Sequence, residues 1–183
     1  MAMPCSSSTT KPLSKELHTV YLSLGSNMGD RRQHIIRAIS EINERIGRVE
    51  RQSDIIETEP WGFSSPHLFL NVVVCCLTPL SPRHLLRATQ LIERRMGRRH
   101  KTQMETGRRS VIVGNEMPPS SRPVYHDRVI DIDILLYDHI VVDEPDLHIP
   151  HPLMRERDFV MRPLLQILPP SLVTGLLNTP QKQ

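Results

Sequence analysis

No glycine loop of the kind that cradles phosphate occurs anywhere in the 183 residues. Neither G-x-x-x-x-G-K followed by Ser or Thr nor G-x-G-x-x-G is present, so a P-loop and a dinucleotide fingerprint are both excluded. No stretch reaches the ~18 consecutive apolar residues of a membrane span, and the N-terminus has no basic-then-apolar signal pattern. A cytoplasmic protein is the expectation. Cysteine is scarce: Cys5 sits in a polar tail, and Cys75 and Cys76 are adjacent within Val72-Val73-Val74-Cys75-Cys76-Leu77. Adjacent cysteines rarely pair, and no C-x-x-C spacing suggests a metal. They read as buried free thiols in a reducing compartment. Excess charge is small too. A net +3 is compatible with a phosphate-bearing ligand but does not demand nucleic acid.

What is present is ordinary globular composition, 38% hydrophobic and 23% charged, on a chain long enough for one domain with a sizeable core. Residues 1–17 are rich in Ser, Thr, Pro and Lys and read as a disordered tail. A single domain is expected over 18–170, with a C-terminal tail at 171–183. His18 to Leu24 roughly alternates and reads as a strand. A turn follows, with Asp30 as candidate N-cap. Ile35, Ile36, Ile39, Ile42 and Ile46 then fall at helical spacing up to Gly47. One strand is expected over 49–58, a loop over 59–66, another strand over 67–77 and a helix over 82–96. Residues 98–127 show no period and hold Gly107, Gly114, Pro118, Pro119 and Pro123. They read as a long loop of functional or disordered type. A strand over 128–137, a short strand at 140–142 and helical pieces at 153–157 and 159–168 complete the chain. The order β-α-β-β-α-β is that of an α+β, ferredoxin-like sandwich. Its sheet would be mostly antiparallel, with helices packed on one face and a C-terminal helical appendage.

The segment Arg128-Val129-Ile130-Asp131-Ile132-Asp133-Ile134 carries two carboxylates in an apolar strand. Alternation puts Asp131 and Asp133 on one face and the isoleucines on the other. Asp is depleted in strands, and neighbouring carboxylates repel unless a cation holds them. Mg²⁺ commonly takes one or two carboxylates together with substrate phosphates and water. Basic residues bracket this pair. Arg98, Arg99, His100 and Lys101 follow the second helix, and Arg128 precedes the aspartates. His151, Arg155, Arg157 and Arg162 come after. Arginine suits bidentate phosphate contacts and developing phosphoryl charge. Elsewhere, Trp61, Phe69, Asn71 and Phe159, with Asn27 in a turn, would suit a flat heterocycle with a hydrogen-bonding edge.

Several segments together resemble the 6-hydroxymethyl-7,8-dihydropterin pyrophosphokinase family of folate biosynthesis. They are Leu24-Gly25-Ser26-Asn27-Met28-Gly29-Asp30, Thr58-Glu59-Pro60-Trp61-Gly62, Phe69-Leu70-Asn71, Gln90-Leu91-Ile92-Glu93 leading to Gly97-Arg98, the Arg128–Ile134 strand, Ile149-Pro150-His151-Pro152-Leu153-Met154 and Arg157-Asp158-Phe159. The resemblance spans about 18–168. It implies that ATP donates its β,γ-diphosphoryl group to the pterin's hydroxymethyl oxygen and that AMP leaves. It implies two Mg²⁺ ions on Asp131 and Asp133, with Arg98 and Arg128 stabilising the transferring group and Lys101 assisting. Gln90, Glu93, Ile134, His151 and Arg157 would line the ATP site, with Glu93 on the ribose. Gly25, Asn27, Thr58, Pro60, Trp61, Phe69, Asn71 and Phe159 would form the pterin slot, with Phe159 and Tyr125 stacking on the ring. ATP and a pterin are the implied partners, with no nucleic acid and no membrane, in a monomer or weak dimer. Because the chain ends at Gln183, no fused dihydropteroate synthase or aldolase domain is expected.

Three departures from the family pattern stand out. Phe69 and Pro152 occupy places where relatives carry Tyr, and the segment between Lys101 and Arg128 is longer than usual. That segment is the family's closing loop and is expected to be mobile here. A nucleic-acid module on the same topology would need the aromatic R-G-F-G-F-V strand, which is absent. A metal-dependent phosphohydrolase or nucleotidyltransferase would leave the Trp61, Phe69 and Asn71 set unexplained.

Overall fold

The computed structural model describes residues 16–98 and 127–173. Its elements are β1 (His18–Ser26), α1 (Arg31–Arg45), β2 (Arg48–Gln52), β3 (Ile56–Thr58), β4 (Phe69–Thr78) and α2 (Pro82–Arg95). Then come β5 (Asp131–Tyr137), β6 (Val142–Glu144), β7 (Leu147–Ile149), a 3-10 turn (Met154–Glu156) and α3 (Asp158–Ile167). Lys101, Tyr125 and the loop expected over 98–127 lie outside the described residues, except for Arg98 and Asp127. So do most of the two expected tails.

The main sheet runs β2-β4-β1-β5, and β3 also pairs with β4. Every pairing in it is antiparallel. The strand expected over 49–58 is two strands. Ser53 divides them: its amide donates to the Val73 carbonyl (2.9 Å) and its hydroxyl accepts from Val73 N–H (3.0 Å). The short strand expected at 140–142 is the start of a hairpin, β6–β7, closed by Pro145 and Asp146.

Two cores explain the sequence pattern. Val20, Leu22, Leu24, Val72, Val74, Cys76, Ile132 and Ile134 pack against Ile35, Ala38 and Ile42 of α1 and Leu85 and Ile92 of α2. Tyr21, Val73, Cys75 and Leu135 point the opposite way and meet Met154, Val160, Leu164 and Ile167. Because β4 is buried on both faces, its run is continuously apolar rather than alternating. The helix ends follow local chemistry. The Asp30 side chain accepts from Gln33 N–H (3.0 Å) at the start of α1, and Pro82 opens α2, where no N–H is required.

The register sets the site. Asp131 lies opposite Gly25 on β1, and Gly25 lies opposite Asn71 on β4. Asp133 pairs with Ser23. The pleat therefore sends Ile132 and Ile134 into the helix-side core. Asp131 and Asp133 go to the α3 side, at the end of the sheet beyond the Val160–Leu164 packing.

Candidate active site

Asp131 is the centre of the charged cluster. Its Oδ1 accepts from Arg98 and its Oδ2 from Arg128. Arg98 also donates to Glu93, whose Oε1 accepts from Ile132 N–H (2.8 Å) as well. Burial alone would raise the Asp131 carboxyl, but Arg128 and Arg98 together hold it below the usual carboxylate range. Asp133 has no such pair. Burial and the charge of Asp131 push it up to about 7, against the pull of Arg157, whose Nη1 is 3.8 Å away. Burial and Asp131 likewise push Glu93 up to about 8. His151 goes the other way: burial first, then the Arg157 charge, lower it to about 4, so its ring is neutral near pH 7.

A cavity of about 510 Å³ opens over this cluster. Gly25, Asn71, Phe69 and Thr58 line one side, Trp61 and Phe159 another, and the charged floor is Asp131, Asp133, Arg98, Arg128 and Arg157. Gly25 makes room there: a Cβ on it would lie 3.1 Å from Asn71 Oδ1 and 3.6 Å from a Phe69 ring carbon. The Asn71 amide donates to Thr58 Oγ1 (2.8 Å), which fixes its orientation. The Arg157 guanidinium sits 4.7 Å from the Trp61 ring centroid and 5.9 Å from that of Phe159, joining the aromatic wall to the floor. A second cavity of about 290 Å³ shares Arg98, Asp131, Asp133 and His151 with the first and extends to Gln90, Glu93 and Ile134.

Two expected slot residues are not lining this space. Pro60 is not in either wall. Asn27 is 2% exposed and turned into the protein. Its Nδ2 donates to Asp127 (2.7 Å), its Oδ1 accepts from Arg128 N–H (2.7 Å), and its own N–H donates to the Arg128 carbonyl (3.2 Å). It thereby fixes the approach to β5 and the place of Arg128. Conversely, Phe63 and Asp146 line the cavities without having been singled out. Phe63 meets Phe69 edge-on at 6.2 Å, and its place in the 59–66 aromatic loop was its only sequence signal. Asp146 sits in the β6–β7 turn, held by Arg83; nothing in a three-residue strand pair marked it.

The oxygen donors fit a hard divalent cation. Among the described residues, no three His, Cys, Asp or Glu side chains are placed to hold a metal by themselves. Asp131 and Asp133 would supply two ligands, and phosphate and water would complete the shell.

A small antiparallel sheet backed by helices places paired carboxylates and arginines between an aromatic cavity and a second one, an arrangement suited to binding phosphate beside a flat ring. The family model described as 7,8-dihydro-6-hydroxymethylpterin-pyrophosphokinase (HPPK) matches residues 21–169, and the chain belongs to that family. The 2-amino-4-hydroxy-6-hydroxymethyldihydropteridine pyrophosphokinase of Porphyromonas gingivalis is 46% identical over 151 residues, covering 82% of this chain and 90% of that protein. The enzyme of the same name from Aquifex aeolicus is 34% identical over 165 residues, covering 90% and 89%. A solved structure described as HPPK-DHPS in complex with substrates superposes with a TM-score of 0.57 at 13% identity. The superposition covers 82% of this chain but 40% of that one, and it speaks to the fold alone.

Proposed function

We propose that the chain transfers a diphosphoryl group from ATP to the hydroxymethyl oxygen of 6-hydroxymethyl-7,8-dihydropterin, yielding the pterin diphosphate and AMP in folate biosynthesis. Family membership and the named relatives support the reaction. The observation that carries the site assignment is Asp131, bound by Arg98 and Arg128 at the place the two cavities share. The sheet order and the placement of α1 and α2 support a ferredoxin-like βαββαβ sandwich, with the segment from Pro152 through α3 as its appendage. The catalytic domain spans about 18–170 and works as a monomer or weak dimer in the cytoplasm. No helix among the described residues is long and apolar enough to cross a membrane.

The larger cavity takes the pterin. Asn71, locked by Thr58, offers its amide to the heterocycle's edge, Gly25 leaves space for the ring, and Trp61, Phe69 and Phe159 give apolar walls. The smaller cavity takes ATP along Gln90, Glu93, Ile134 and His151. A neutral His151 can donate to or accept from a nucleotide without adding charge. Asp131 and Asp133 would hold two Mg²⁺ ions, which when bound would supply positive charge against the phosphate oxygens. The pterin oxygen bonds to the β-phosphorus as the bond from that phosphorus to the oxygen bridging to the α-phosphorus breaks. The hydroxyl proton is released, and AMP leaves with the bridging oxygen. Arg98 and Arg128 stabilise the charge on the moving group. The chain supplies position and charge and no nucleophile of its own.

The test is AMP formation from ATP, Mg²⁺ and the hydroxymethyl-dihydropterin. Asp133→Ala is expected to slow it at least about a hundredfold, the loss of charge stabilisation worth several kcal/mol. An unchanged rate in that variant contradicts the site assignment.

A further inference from the structure

We propose that Glu93 is a positioning residue that aims Arg98 at the nucleotide's phosphates, rather than a ligand of its ribose. The inference rests on the pyrophosphokinase reading above. It begins at the end of α2. Gly97 adopts φ +102°, in the left-handed region, its N–H donates to the Arg94 carbonyl (3.1 Å), and Arg98 N–H donates to the Glu93 carbonyl (3.0 Å). That pair of bonds is a Schellman motif, with Glu93 at C3 and Arg98 at C″. The motif brings those two side chains over one another, and the contact is usually apolar. Here it is an ion pair.

The same carboxylate has a second attachment. Glu93 Oε1 also accepts from Ile132 N–H of β5 (2.8 Å), the residue between the two aspartates. One oxygen thus ties the helix end, the aspartate strand and Arg98 together. Glu93 is 5% exposed, so little of it is open to a sugar hydroxyl. Gln90, one turn earlier and only partly buried, lines the same cavity. The backbone turn and the carboxylate therefore act on Arg98 from two sides, and the arginine reaches Asp131 where the cavities meet.

The experiment compares two probes by titration calorimetry on the full chain: α,β-methylene-ATP with Mg²⁺, and AMP. AMP keeps the ribose and lacks the β- and γ-phosphates. For Glu93→Ala, which removes the acceptor that Arg98 and Ile132 N–H share, the analogue is expected to bind about tenfold more weakly, the scale of one hydrogen bond to a charged group. AMP binding should stay within about twofold of wild type. Equal weakening of both probes, or weakening of neither, overturns the proposal.

Gly97→Val provides a second route. Gly97 lines neither cavity, and a Cβ there meets nothing within 4 Å. A β-branched residue is, however, excluded from that φ. The same split, with the analogue weakened and AMP spared, is expected. Unchanged analogue binding in this variant would contradict a positioning role for the turn. If wild type itself fails to bind the analogue, the pyrophosphokinase reading fails, and the two failures are thereby separated.

Discussion

Two aspartates two residues apart on one strand are shifted in opposite directions by their surroundings. Asp131 is held ionised by two arginines, while Asp133 is raised to about 7 by burial and by Asp131 itself. Environments that split a carboxylate pair in this way commonly mark working sites. Gly25, directly opposite Asp131, controls the space above them. In Gly25→Ala, the new methyl lies 3.1 Å from Asn71 Oδ1. The expected outcome is a several-fold rise in KM for the pterin, with KM for ATP unchanged, read from initial rates. Equal change in both constants would contradict the division of the two cavities. His151 bears on stability. Its folded pKa, about 4, lies below the ordinary value of 6.5. Between those values the unfolded chain binds a proton that the folded one refuses. The stability is therefore fully present above pH 6.5 and is lost as pH falls toward 4. Urea midpoints at pH 7 and pH 5 should drop further in wild type than in His151→Asn; an equal drop would contradict the burial of a neutral ring.

Among the elements, β4 and β5 hold the buried thiols and the paired aspartates. Burial on both sides of β4 removes Cys75 and Cys76 from solvent, and burial pushes the Cys76 thiol up to about 12. Neither should be alkylated by iodoacetamide at pH 8 in the native protein, and both should react in urea, as mapped by peptide mass spectrometry. Native labelling at Cys76 would contradict the packing. The facing of Asp131 and Asp133 was legible because a strand has period two and Ile132 and Ile134 needed a core. The break at Ser53 was read through: Ser53-Asp54 is a short polar pair with no Gly or Pro beside it, and the division depends on Val73 of another strand. The second strand of the β6–β7 hairpin was missed because three residues are too short to show a period. With it was missed Asp146, which the turn carries into both cavities. Asn27 was grouped with the aromatic set as a turn residue and placed in the slot by the family resemblance. Its buried amide instead fixes the path of residues 127 and 128, a partnership 100 residues apart in sequence.

At the scale of the whole molecule, α1 and α2 cover one face of the sheet, and α3 covers part of the other. The uncovered end of that second face is where Asp131, Asp133, Arg98, Arg128 and Arg157 converge under the aromatic wall. The order of elements was readable from periodicity and turn residues. The junction of two cavities over one charged floor was not, because it depends on the register that sets Gly25 between Asp131 and Asn71. The proposed reaction moves two phosphoryl groups as a unit. The most direct measurement is mass spectrometry of both products after incubation with ATP, Mg²⁺ and the hydroxymethyl-dihydropterin. The expected result is a pterin carrying a diphosphate and AMP in equal amounts. A pterin monophosphate with ADP, or AMP formed without a phosphorylated pterin, would contradict it.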